Sequence, residues 1–148
     1  MLIVRKDGRA DIVSSVPFSE TNQIAFAMCG FSIVMQAGTN CCKQIRGVEA
    51  PPRTALGLTA DRRTLVITVV DGRQPGYSLG ATEAEICDIM RGEGCTDVVN
   101  MDGGGSSSLV VFDCKRGKPK MLNRHKGGGV RKVAVNFGVT FSGRGIDL

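Results

Sequence analysis

The segment that most limits what this chain can fold into is Val98-Val99-Asn100-Met101-Asp102-Gly103-Gly104-Gly105-Ser106-Ser107-Ser108. A run of β-formers enters it, and Leu109 to Phe112 resumes the β pattern beyond it. Strand, glycine loop and strand therefore follow directly on one another. Three consecutive glycines let the backbone turn so that successive N–H groups face one concavity, a shape that holds an anion. Ser106, Ser107 and Ser108 add hydroxyl donors, and Asp102 sets a carboxylate at the strand end, where it can act as acid, base or nucleophile. A nucleotide P-loop is disfavoured, because no Gly-Lys-Ser or Gly-Lys-Thr follows.

The rest of the chain supplies elements around this loop. Leu2 to Val4, an Asp7-Gly8 turn and Ala10 to Val13 read as a hairpin, and Ser14 to Asn22 as a loop. Gln23 to Cys29 and Ser32 to Gln36 read as two buried strands, the first with a helical alternative. Residues 38–49 read as irregular. Thr54 to Leu58 and Thr64 to Val70 form strand, turn, strand, and the nearly pure β-former run Leu65 to Val70 predicts a central strand. Thr82 and Glu85 have the spacing of a capping box, opening a helix with Ile86, Ile89 and Met90 on its apolar stripe. Residues 113–129 read as a basic surface loop, and Val133 to Phe141 as the last strand. Strands outnumber helices, which predicts an α+β domain with a mixed, mostly antiparallel sheet and few flanking helices. At 148 residues a single domain is expected.

Two further loops carry chemistry, each at the end of a predicted strand. In Asp71-Gly72-Arg73 the aspartate would be a second carboxylate, and the arginine can bind phosphate oxygens bidentately. Arg53-Thr54 follows Pro51-Pro52, which fix how the chain enters its strand, and Arg53 can reach an anion. Nineteen Lys and Arg against fourteen Asp and Glu give a net charge of +5, which suits a phosphorylated small molecule. Nucleic acid is the weaker partner, because the chain has no Trp and one Tyr for base stacking. Six cysteines without a C-x-x-C pair, and one histidine, do not make a zinc site, and no metal is expected unless Asp71 and Asp102 jointly hold a divalent cation. Cys95 and Cys114 flank the glycine loop and would pair only in an exported protein. No signal-like or membrane-length apolar run is read, so a reducing compartment and no membrane partner are the expectation. Oligomeric state is open, with a homo-oligomer allowed.

Together these segments resemble the phosphodiester glycosidase family. The resemblance lies in Pro52-Arg53-Thr54-Ala55-Leu56-Gly57, Val69-Val70-Asp71-Gly72-Arg73-Gln74, Thr82-Glu83-Ala84-Glu85 and Val99-Asn100-Met101-Asp102-Gly103-Gly104-Gly105-Ser106-Ser107. Weaker likeness continues at Asn123 and at Arg131-Lys132-Val133-Ala134-Val135-Asn136. It implies that Arg53, Thr54, Arg73, Arg131, Gly72 and the loop from Gly103 to Ser107 bind a substrate phosphate, with the amides of Gly103 to Ser106 turned toward it. It implies Asp71 and Asp102 as the catalytic carboxylates, their roles unassigned. The family's Asn-Gly-Gly-x-Phe loop has no good counterpart, Gly30-Phe31 being a poor one, so the expectation is a single 1–148 domain lacking that amino-terminal segment. Two rivals stand beside hydrolysis of a sugar-1-phosphodiester: a module that sequesters nucleotides or sugar phosphates, and a phosphodiesterase that cuts the P–O bond.

Overall fold

The computed structural model describes residues 1–42, 50–126 and 128–140. Its centre is a five-stranded antiparallel sheet. The strands are β4 (Ser32–Gln36), β5 (Thr39–Asn40), β6 (Arg53–Thr59), β7 (Leu65–Val70) and β8 (Cys95–Asn100), in the order β5-β4-β8-β6-β7. A three-stranded sheet covers one face, built from β1 (Leu2–Arg5), β2 (Ala10–Ile12) and β3 (Ile24–Met28) in the order β2-β1-β3. The helix α1 (Glu83–Gly92) covers the other, and β9 (Val110–Asp113) pairs with β10 (Lys118–Met121) as a separate hairpin. The α+β class with mostly antiparallel pairing is borne out.

Alternation along β6 and β8 explains this layering. Ala55 and Val98 face Ile86, Cys87 and Met90 of α1, while Leu56, Leu58 and Val99 face Leu2 and Ile12. Both strands are apolar on both sides because both sides are covered. Gly57 lies beneath α1, where a Cβ would come within 2.5 Å of Met90 Cε. Helix α1 starts as its sequence dictates: Thr82 Oγ1 accepts from the Glu85 amide at 3.2 Å, and the Glu85 carboxylate accepts from the Thr82 amide at 2.7 Å. Those bonds to Thr82 hold the Glu85 carboxyl below its usual range. Ile86 is fully buried, so Ile86→Ala is expected to cost about 2–5 kcal/mol. Urea unfolding would read this as a lower midpoint at unchanged slope.

Several elements differ from the sequence reading. Leu65–Val70 is an edge strand, not a central one; β6 and β8 take the centre because only they can be covered on both faces. Strand β3 is mostly exposed, since it forms the edge of the smaller sheet. Ile89 is exposed beyond the helix–sheet contact. A 3-10 turn spans Phe18–Gln23, running from the predicted loop into the first residue of the predicted strand, and β10 lies within the predicted basic loop. The described part of the predicted last strand, residues 133–140, is not a strand. It returns over the small sheet instead, where the Phe137 ring meets Phe26 at 5.7 Å between centroids. Of the irregular stretch 38–49, residues 43–49 lie outside the described part, and so does Phe141. All six cysteines are free; Cys95 is buried and Cys114 exposed. Burial pushes the Cys42 thiol up to about 12 and raises that of Cys87. No helix among the described residues is long and apolar enough to cross a membrane.

Candidate active site

Strand pairing places the site at one rim of the five-stranded sheet. Asn100, at the end of β8, pairs with Ala55 near the start of β6, so the glycine loop leaves the sheet beside Pro52-Arg53. The Gly104 amide donates to the Pro52 carbonyl at 2.8 Å, and the Met101 amide to the Thr54 carbonyl at 2.8 Å. A 3-10 turn over Gly104–Ser106 then folds the loop back, with Gly104 at φ +59, in the left-handed region where glycine is favoured.

The resulting open cleft of about 430 Å³ is lined by Arg53, Arg73, Asn100, Asp102, the three loop glycines and Arg131, with Phe31 and Pro52 on its wall. Five segments distant in sequence therefore meet here. Arg73 lies over the loop, its Nη1 3.4 Å from where a Cβ on Gly104 would stand. Arg73 itself has φ +56, a conformation that costs a non-glycine residue of order 1–3 kcal/mol. Its amide donates to the Leu79 carbonyl at 2.9 Å, which helps to hold the turn. Arg131 closes the far side: its guanidinium bonds Ser106 Oγ, and Nη2 stands 3.7 Å from the Asp102 carboxylate. Asp102 is well exposed, at 56% of its side chain.

The base of the cleft is more firmly built. Arg53 Nε donates to the Ala81 carbonyl at 2.9 Å, and its Nη1 lies 4.0 Å from Glu83. Glu83 Oε1 also accepts from Ser32 Oγ at 2.7 Å and from Asn100 Nδ2 at 3.3 Å. Asn100 is 4% exposed, and its Oδ1 has no partner among the described residues. A buried acceptor left open costs about 1–3 kcal/mol, and here it belongs to a residue on the cleft wall.

Asp71 is placed differently from Asp102. It is not part of the cleft wall. Its Oδ1 accepts from Asn123 Nδ2 at 2.9 Å, and its Oδ2 from the Arg124 amide at 2.8 Å and the Tyr77 hydroxyl at 3.1 Å. That bond raises the Tyr77 phenol above its ordinary pKa. Asn123 further bonds the Ser107 carbonyl and the Leu109 amide. Asp71 thus ties the loop after β7 to a strap that begins at residues 123–124, apart from the cleft wall that carries Asp102. Gly72 packs where a Cβ would come within 2.6 Å of Pro52 N. Ser107 is buried with an unpartnered Oγ, and so is the Thr54 hydroxyl; neither residue lines the cleft.

The amide nest is smaller than the sequence implied. The amides of Gly104 and Ser106 are spent inside the protein, on the Pro52 and Gly103 carbonyls. Among the described residues this leaves those of Gly103 and Gly105 without a backbone acceptor. Among the described residues no three His, Cys, Asp or Glu side chains converge as metal ligands. Glu83, Asn100, Tyr77 and Arg124 were missed as parts of the site. A signal existed for Asn100, a polar residue ending an apolar strand directly before Met101-Asp102.

The family model described as phosphodiester glycosidase matches residues 1–140. Among curated proteins, the SPbeta prophage-derived uncharacterized protein YomE of Bacillus subtilis (strain 168) is 43% identical over 60 residues. That stretch is 40% of this chain and 9% of YomE, so the chain spans a small part of that relative's length.

Proposed function

The chain belongs to the phosphodiester glycosidase family, a family of glycosidase-type hydrolases, and from that premise we propose that its rim cleft hydrolyses the glycosidic bond of a sugar-1-phosphodiester. The observation that carries this reading is the convergence of Arg53, Arg73 and Arg131 on a glycine loop that also bears Asp102. Three guanidiniums against two carboxylates, Asp102 and the Glu83 side chain at the cleft base, leave a positive balance that favours an anion. The amides of Gly103 and Gly105 complete the seat for its phosphate.

In the proposed reaction the bond between sugar C1 and the bridging oxygen breaks. The bridging oxygen leaves with the phosphate, and water supplies the hydroxyl at C1. The departing phosphate needs charge stabilisation more than a proton, and preorganised cations supply it without reorganising during the reaction. Asp102, the carboxylate on the cleft wall, is the group to act on C1 or on the attacking water. Asp71 acts as a positioning residue for the strap. The open Asn100 Oδ1 is set to accept from a sugar hydroxyl or N–H, and the exposed Phe31 ring offers the sugar a flat face.

The test is incubation of the protein with UDP-N-acetylglucosamine and a panel of sugar-1-phosphodiesters in oxygen-18 water, with products followed by mass spectrometry. Free sugar carrying the label is expected. Label in the phosphate would mean P–O cleavage and a phosphodiesterase; intact ligand recovered from a tight complex would mean a sequestering module.

A further inference from the structure

A second cleft, of about 700 Å³, opens beside the first and is lined by Arg73, Tyr77, Arg124, His125 and Lys126, among others. Arg73 lines both clefts. No Asp or Glu lines the second cleft among the described residues. Arg73, Arg124 and Lys126 bring three cations to it, while the Asp71 carboxylate behind its wall is engaged by Asn123, Tyr77 and the Arg124 amide, so an anionic ligand is favoured there.

The part of this wall around Arg124 and Tyr77 is held by specific contacts. The Arg124 amide is held by Asp71, and its carbonyl accepts from Gln74 Nε2 at 2.8 Å. The Arg124 guanidinium carbon lies over the Tyr77 ring, 4.8 Å from its centre, and the ring is anchored by its hydroxyl on Asp71. A guanidinium stacked on a ring keeps its edge N–H groups free to fork onto an anion. His125 is tied in turn to Ser108 by a 2.9 Å contact between Nε2 and Oγ.

We infer that the second cleft binds a second phosphate on the leaving group, so that the substrate class is a diphosphate-linked sugar of the nucleoside-diphosphate type. The first phosphate sits at the glycine loop against Arg73, and the next falls between Arg73, Arg124 and Lys126, with Tyr77 beside the group that follows. This rests on the glycine loop being the seat of the first phosphate.

The test is calorimetric titration of the intact protein with UDP and with UMP, which differ by that second phosphate. UDP is expected to bind about tenfold or more tightly than UMP, the size of one charge-assisted contact. Arg124→Ala and, separately, Lys126→Ala should bring the two ligands to within about twofold; both side chains are exposed, so the fold should persist, as circular dichroism would check. Equal affinities in the wild type, or a UDP preference unchanged in both variants, would overturn the inference. An Arg124-dependent UDP preference without sugar release from any diester would leave this site standing and remove the glycosidase reading. Sugar release without UDP preference would do the reverse.

Discussion

Asp102→Asn is expected to lower turnover of a sugar-1-phosphodiester by about 10²–10⁴-fold, the usual contribution of a positioned acid, base or nucleophile. The fold should not notice, because the Asp102 side chain is mostly exposed and its one ionic contact among the described residues is with the equally exposed Arg131. A surface pair of this kind contributes about 0–1 kcal/mol. Loss of rate with an unchanged melting temperature would therefore separate chemistry from stability. The neutral amide also removes one negative charge from the phosphate seat, so ground-state binding of a phosphate ligand should hold or tighten while turnover falls. Near-normal turnover in the variant would remove Asp102 from the reaction.

The largest structural effect is expected at Gly80. A Cβ there would stand 1.9 Å from the Ala50 carbonyl oxygen, and φ is +117. The obstacle is backbone, so no side-chain rotation can relieve it. Strain at such a φ and a core-like clash together predict a loss of about 3–5 kcal/mol for Gly80→Ala. Gly76→Ala is the matched comparison, since Gly76 also has positive φ (+81) but nothing within 4 Å of a new Cβ. It should cost only about 1 kcal/mol. Thermal unfolding of the pair isolates the clash from the dihedral. If both variants melt alike, the close packing of residues 50–52 against residues 72–81 is not what holds the rim together.

Local features were readable from the sequence, and features set by distant partners were not. The β1–β2 hairpin, the β6–β7 hairpin and the Thr82–Glu85 cap depend on residues a few positions apart, and all three stand where the sequence put them. The position of β7 at the sheet edge depends on which strands the helix and the small sheet cover, which Leu65 to Val70 do not themselves encode. Lys118-Pro119-Lys120 reads as a solvated loop, yet it pairs with β9 because an exposed two-stranded hairpin needs no buried face. Residues 133–140 carry β-type residues whose role is to dock Phe137 against the small sheet. At the site the residue types were legible, as were the loops that carry them. The direction of Asp71 was not: its partners Asn123 and Arg124 lie more than fifty residues away.

That remote attachment has a consequence for how such a protein can diversify. The cleft bearing Asp102 is made by the ends of two core strands, whereas the cations Arg124 and Lys126 ride on a strap fastened through the Asp71 carboxylate and the Asn123 amide. Replacing the side chains between these fastenings would leave the rim geometry intact. On the proposed reading, reaction and leaving-group preference can therefore drift on separate clocks, the first constrained by the sheet and the second free to follow whatever phosphodiesters the protein meets.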